Sequence, residues 1–260
     1  MIKTLFEDNH LLALDKPYGV PVQPDASQDP CLLEQARRYV KEKYAKPGRV
    51  FLALAHRLDR PVSGVLLLAR TGKAAGRLAA LFRERKAAKL YHAVVHPLDG
   101  FGDFPAGTMI ELINGFIPGN NGQASRIRPR DEPGVRNAAL ECLVLGHGCA
   151  AGRRATLLEV RPRTGYKHQI RAQLAWAGMP VAGDFRYGPH GQPARPTPLA
   201  GGRAIALHAT RLEILHPVTG LPVCLDAPWP GIFAAMASCG MPAAGMPDSL
   251  ERRPWPLSTN

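Results

Sequence analysis

The stretch His56-Arg57-Leu58-Asp59-Arg60-Pro61-Val62-Ser63-Gly64 sets four ionisable side chains and a hydroxyl between two short apolar runs. Catalytic groups are commonly mounted on a loop that rigid elements hold from both sides. Positive charge at Arg57 and Arg60 favours the ionised form of the Asp59 carboxylate between them. Such a carboxylate can attack carbon but makes a poor general acid. A salt-bridged structural turn would use the same residues, so the stretch offers a nucleophile without establishing one.

Two further patches carry polar groups. In Arg163-Thr164-Gly165-Tyr166-Lys167-His168-Gln169-Ile170-Arg171, Gly165 permits a tight turn ahead of a helix that opens with polar donors and cations. Helix N-termini favour anions, whether a phosphate or a carboxylate such as Asp59. In Lys89-Leu90-Tyr91-His92-Ala93-Val94-Val95, strand alternation puts Lys89 and Tyr91 on one side and His92 on the other. A tyrosine beside a lysine suits base stacking, worth about 1–3 kcal/mol per base. A half-buried sheet tyrosine fits the same pattern.

The elements that must position these groups follow from apolar spacing and turn signals. Leu11–Leu14 reads as a strand ended by the turn Lys16-Pro17-Tyr18-Gly19. Cys31–Tyr44 has helical spacing at Leu32, Leu33, Ala36, Tyr39 and Val40. Phe51–Ala55 and Val65–Ala69 read as strands on either side of the Asp59 loop, and Thr71 is a candidate N-cap for a helix to about Lys86. Tyr91–Val95 is the next strand. Pro97–Pro133, rich in Gly, Pro and Asn, is expected to be loops with short strands. Strands are expected at Ala139–Leu145, Ala155–Val160, Ala204–Leu207, Leu212–Leu215 and Leu221–Leu225, with a helix over Lys167–Gly178. Strands outnumber helices and do not alternate with them, which favours α+β with a mostly antiparallel sheet.

Composition narrows the partners. A formal charge of +12 and pI near 9.9 point to a polyanion, since each Lys or Arg near a phosphate releases condensed counterions. The charge is clustered: Arg70–Lys89 holds seven basic residues against Glu84, and Arg153–Arg171 holds six against Glu159. The five cysteines are scattered with no zinc spacing, so no metal is expected. No run approaches the ~18–20 apolar residues of a membrane span. The opening residues lack a signal-peptide core, which gives a cytoplasmic expectation.

Taken in order, these patches resemble the RluA branch of the pseudouridine synthases. His56–Gly64 is similar to that family's H-R-L-D-R-x-[ST]-S-G signature, Lys89–Val95 to its K-x-Y-x-A-x-V strand, and Arg163–Arg171 to T-G-R-x-H-Q-I-R. Glu7-Asp8-Asn9-His10 with Asp15-Lys16-Pro17-Tyr18-Gly19 resembles its first motif. Val181-Ala182-Gly183-Asp184 with Tyr187-Gly188, and Leu207-His208-Ala209 with His216-Pro217-Val218-Thr219-Gly220, resemble its closing segments. The resemblance spans about Ile2 to Pro230.

It implies an α+β fold with a mainly antiparallel, bifurcated sheet flanked by helices and a central active-site cleft. Residues 1–235 would form one catalytic domain of two sub-halves with no N-terminal S4 domain, and residues 236–260 a Pro/Gly-rich tail. Asp59 would be the catalytic aspartate, Tyr91 would stack on the flipped uracil, and Arg171 would pair with Asp59. His56, Arg57, Arg60, Lys89, Lys167, His168 and Gln169 would bind substrate. The partner would be ribosomal or transfer RNA, with no cofactor, no metal and a monomeric chain. The basic helix after Thr71, with Arg153 and Arg154, would contact the RNA backbone.

Three residues depart from the pattern: Val62 stands where Thr or Ser is frequent, Tyr166 where Arg is usual, and His96 where Gly often follows the tyrosine strand. A non-catalytic RNA-binding or ribosome-assembly protein on the same scaffold is the rival reading. Zinc-deaminase and nucleotide-loop signatures are absent.

Overall fold

The computed structural model describes residues 2–98, 104–119, 123–150, 152–188, 199, 202, 204–231 and 233. In chain order its elements are β1 (Lys3–Glu7), β2 (Leu11–Lys16), α1 (Leu32–Lys43), β3 (Ala53–Leu54), β4 (Ser63–Ala69), α2 (Gly72–Arg83) and β5 (Ala88–Val95). Then follow β6 (Met109–Ile117), β7 (Arg126–Arg128), β8 (Arg136–Ala150), β9 (Arg153–Pro162), α3 (Gln169–Trp176), β10 (Leu207–Leu215) and β11 (Pro222–Asp226). The chain is α+β, as the strand-rich pattern suggests. It divides into two compact units, with boundaries after Lys89 in β5, after His208 in β10 and after Pro228. The expected tail over Met241–Asn260 lies outside the described residues.

The first unit holds the strand order β1-β2-β4-β10, with β11 on β10 and β3 on β4. β2 pairs antiparallel with both β1 and β4, and is buried along Leu11–Leu14, which explains its unbroken apolar run. Alternate residues Leu11 and Ala13, Val65 and Leu67, and Leu212 and Ile214 share one core cluster with Ala74 and Leu78 of α2. α2 begins as its cap predicts: the Thr71 Oγ1 accepts from the Ala74 N–H at 3.3 Å. α1 buries Leu32, Leu33, Ala36 and Val40.

The second unit is an antiparallel run β5-β9-β8-β6-β7. Phe116, Ile127, Ala138, Ala172, Ala175 and Tyr187 form its cluster under α3.

Four expectations are corrected. β6, a nine-residue strand, lies where only short strands were expected. β8 runs fifteen residues, past Leu145, through a bulge between Val144 and Gly146 that absorbs the Gly-rich end. Ala204–Leu207 and Leu212–Leu215 are not two strands: β10 is continuous over Leu207–Leu215, and polar Thr210 and Arg211 stay in its ladder. α3 starts at Gln169, because His168 adopts a left-handed φ of 58° that no helix interior accepts. Among the described residues no helix is long and apolar enough to cross a membrane.

Candidate active site

Asp59 lies, half-buried, on the loop between β3 and β4. Its backbone carbonyl accepts from the Val62 N–H at 3.0 Å, closing a turn, and the flanking Leu58 and Val62 point into the core at 7% and 3% exposure. Valine therefore suits position 62, since a hydroxyl there would be buried. Lys16 supports the turn from below. It is fully buried, and its ammonium donates to the carbonyls of Pro17 (3.0 Å), Arg60 (3.0 Å) and Val62 (2.6 Å). Burial pushes Lys16 down to about 7; the negative charge of Asp59 opposes that shift and Arg60 adds to it. The Gly19 N–H donates to the Arg60 carbonyl at 2.8 Å, so the Lys16–Gly19 turn and the Asp59 loop are stitched together.

The other predicted residues of this unit divide by what they touch. Arg57 is exposed. Arg60 is engaged elsewhere: its Nε donates to the Gly19 carbonyl at 2.9 Å, and its other nitrogens reach Ser27 at 2.8 Å and the carboxylate of Asp29. The His56 Nε2 accepts from the Leu67 N–H at 3.0 Å, and the ring stacks on Phe82 at 4.8 Å. Desolvation, helped by the Lys89 charge, pushes His56 down to about 3, so it is neutral. His56 anchors the loop to β4 and α2, with its acceptor nitrogen already used. Lys89, half-buried, is lowered by desolvation and then by Arg85.

In the second unit Tyr91 is a half-buried residue of β5, opposite Val160. Arg171 is 3% exposed and makes a bidentate pair with Asp184, Nε–Oδ2 2.6 Å and Nη2–Oδ1 2.8 Å. Its guanidinium lies 5.1 Å from the Tyr187 ring centre. The Tyr187 hydroxyl accepts from the Ser125 N–H at 2.8 Å and meets the His168 Nδ1 at 2.8 Å. The Ser125 hydroxyl donates to the Lys167 carbonyl at 2.7 Å, while the Lys167 side chain is exposed. Gln169 is buried and saturated: Oε1 accepts from Thr164 (2.9 Å) and the Tyr166 N–H (3.1 Å), and Nε2 donates to Ala139 (3.1 Å) and Gln173 (2.9 Å). Its side chain holds the turn and has no polar atom left for a nucleotide.

The remaining departures are also explained by packing. Tyr166 stacks on Phe116 at 5.4 Å and lies under the Arg136 guanidinium at 5.9 Å. His96 is buried, with Nδ1 2.9 Å from the Arg154 carbonyl. The residues that sequence reasoning gave no role are Lys16, Asp184, Tyr187 and Ser125. The first three lie inside motifs quoted above; Ser125 carries no sequence signal. The expected backbone contacts Lys73, Arg77, Arg83, Arg153 and Arg154 are all exposed.

Residues 10–176 match the RNA pseudouridylate synthase family. The chain belongs to that family. It is 32% identical to "tRNA pseudouridine synthase C" of Salmonella typhi over 87% of this chain and 85% of that one. It is 29% identical to "tRNA pseudouridine synthase C" of Yersinia pestis over 100% and 98% of the two chains. With "Ribosomal large subunit pseudouridine synthase C" of Vibrio vulnificus it shares 32% over 86% of this chain and 64% of that one. The human RNA pseudouridylate synthase domain-containing protein 4 has the same fold, with a TM-score of 0.69 at 23% identity over 91% and 92% of the two chains. This pseudouridine synthase is an isomerase of the RluA type that converts uridine to pseudouridine in RNA. That chemistry breaks the N1–C1′ bond of uridine and joins C5 to C1′, with a proton gained at N1 and one lost from C5.

Proposed function

We propose that Asp59 is the nucleophile of this synthase, that Tyr91 stacks on the displaced uracil and that Arg171 serves the same nucleotide. The observation that carries the reading is the support under Asp59. A half-buried aspartate stands on a turn fixed by buried Leu58 and Val62, by two hydrogen bonds from Lys16 to the carbonyls of Arg60 and Val62 and by the His56 anchor. A group held so firmly loses little freedom on meeting its target, which is what a positioned nucleophile requires. A uridine inside a helix must be flipped out to reach it, at a cost of a few kcal/mol. Stacking and phosphate contacts offset that cost.

We also propose transfer RNA as the substrate. The relatives named for tRNA from Salmonella, Yersinia and Pectobacterium match over 85%, 98% and 61% of their own length, and the ribosomal relative from Vibrio over 64%. The test is tritium release from RNA labelled at C5 of uridine. Asp59→Asn should release none while binding RNA within a few-fold of wild type, and retained release would overturn the assignment. Bulk tRNA should be the better substrate. Release from ribosomal RNA alone would move the substrate to the ribosome.

A further inference from the structure

Outside the Asp59 loop, the first unit carries a cleft of about 470 Å³ lined by Arg37, Arg38, Lys41, Pro47, Gly48, Arg49 and Val50. It sits where α1 ends and the chain turns toward β3. Six Lys and Arg side chains of this unit have a carboxylate partner: Lys3 has Asp15, Lys43 and Arg70 have Glu7, Arg60 has Asp29, Lys86 has Glu84 and Arg211 has Asp226. The cleft instead gathers four cations around one hollow. Among the described residues none of them forms an ion pair, and Arg37 makes a single bond, to the Leu52 carbonyl at 3.5 Å. Lys41 lies in the last turn of α1, where a cation complements the helix dipole. That explanation does not reach Arg38, a turn earlier, or Arg49, which is off the helix.

A second observation points the same way. Phe51, next in the chain to the cleft residue Val50, is 53% exposed. An exposed aromatic residue next in the chain to a cation-lined cleft offers the two groups that single-stranded nucleic acid uses, a ring for a base and Lys or Arg for phosphates. Gly48 adds access, since open space lies where its side chain would stand.

We propose that this cleft is a second RNA-docking site, holding backbone phosphates of an unpaired stretch of the substrate on Arg38, Lys41 and Arg49 while Phe51 stacks on one of its bases. It lies outside the family motifs that surround Asp59, and it would extend the footprint of the RNA beyond the modified uridine. The inference rests on RNA being the substrate.

The test uses the full chain and the RNA that wild type modifies. Arg38→Ala/Arg49→Ala should weaken RNA binding about ten-fold or more at moderate salt. It should also reduce the slope of log K against log salt by about 1.4–1.8, the value for two lost phosphate contacts. The loss should fall on KM, with the thermal midpoint kept, and Arg38→Lys/Arg49→Lys should restore most of the affinity. Phe51→Leu should weaken binding about five-fold or more with little change of salt slope, as lost stacking predicts. Wild-type affinity and slope in the double alanine variant would overturn the cleft and leave the catalytic reading intact. Conversely, tritium release retained in Asp59→Asn, with affinity still lost in the double alanine variant, would keep the cleft and remove the role of Asp59.

Discussion

The Arg171 guanidinium is clamped by both oxygens of Asp184, thirteen residues along the chain, and both side chains are almost wholly removed from solvent. Asp184 Oδ1 also accepts from the N–H groups of Arg186 at 2.9 Å and Tyr187 at 3.1 Å, so one carboxylate fixes the arginine and the turn that carries Tyr187. Breaking a buried, hydrogen-bonded pair by removing one member costs about 3–5 kcal/mol. Asp184→Ala should lose that much in urea unfolding. At a temperature where it is still folded, it should also lose more tritium release than its folded fraction explains, because Arg171 is no longer held. Release in proportion to the folded fraction would reduce Asp184 to a purely structural part.

Lys16 should make stability and turnover move in opposite directions with pH. Its ammonium has three hydrogens for three carbonyls, and a neutral amine has only two. With a folded-state value of about 7 against 10.5 unfolded, the native chain gives up this proton while the unfolded chain keeps it. Stability therefore rises with pH between about 7 and 10.5, by up to about 1.4 kcal/mol per pH unit relative to Lys16→Gln. Over the same rise the loop under Asp59 loses one hydrogen bond and a neighbouring cation, so wild-type turnover should fall as pH passes through about 7. Unfolding curves of wild type and Lys16→Gln that stay parallel with pH would refute this account.

These two positions mark where sequence reading succeeds and where it stops. The Asp59 loop was legible because its chemistry is contiguous in the chain, between β3 and the aliphatic run that became β4. Thr71 was legible because a cap is a local event. Lys16 was not, because lysine is among the residues least often buried, and two of the three carbonyls that make its burial tolerable lie on a loop more than forty residues away. β6 was hidden because Met109, Glu111 and Ile113 stand exposed on its outer side, which blurs the apolar and polar alternation that announces a strand. Gln169 and His56 look like binding groups in a motif. Their partners Ala139, thirty residues away, and Leu67, past the end of the Asp59 motif, lie outside the motifs, which give no sign of them.

His56 should contribute an acid-labile part of the stability. Its folded-state value of about 3 lies below the ordinary 6.5, because the ring is desolvated and Lys89 is near. The depressed value means that the contribution is complete above pH 6.5 and is lost as pH falls toward 3. His56→Phe keeps a ring against Phe82 but leaves the Leu67 N–H without its acceptor, at about 1–3 kcal/mol. The variant should be less stable at pH 7 and should lose less on acidification than wild type. His92, also lowered to about 3, remains in both chains and cancels in the comparison. An acid transition unchanged by the substitution would show that His56 does not carry it.

Gly64, the last residue of the Asp59 motif, should tolerate no side chain at all. Its φ of +116° disfavours any L-residue, and a Cβ there would lie 2.2 Å from the Ala209 carbonyl oxygen and 2.6 Å from its nitrogen. Both are backbone atoms of β10, and no rotamer change can relieve the overlap. Either β10 moves away from β4 or the start of β4 shifts, and that start follows directly on the turn that presents Asp59. Gly64→Ala should therefore cost about 3 kcal/mol or more, combining backbone strain with overpacking. Its damage should also be local: the folded fraction should show reduced tritium release, because the Asp59 turn hangs from the displaced strand. Gly76, on α2 with open space around it, is the control, and Gly76→Ala should be neutral or slightly stabilising, as alanine is in an exposed helix. Wild-type melting and turnover in Gly64→Ala would refute the claim that the close packing of β4 on β10 holds the Asp59 turn.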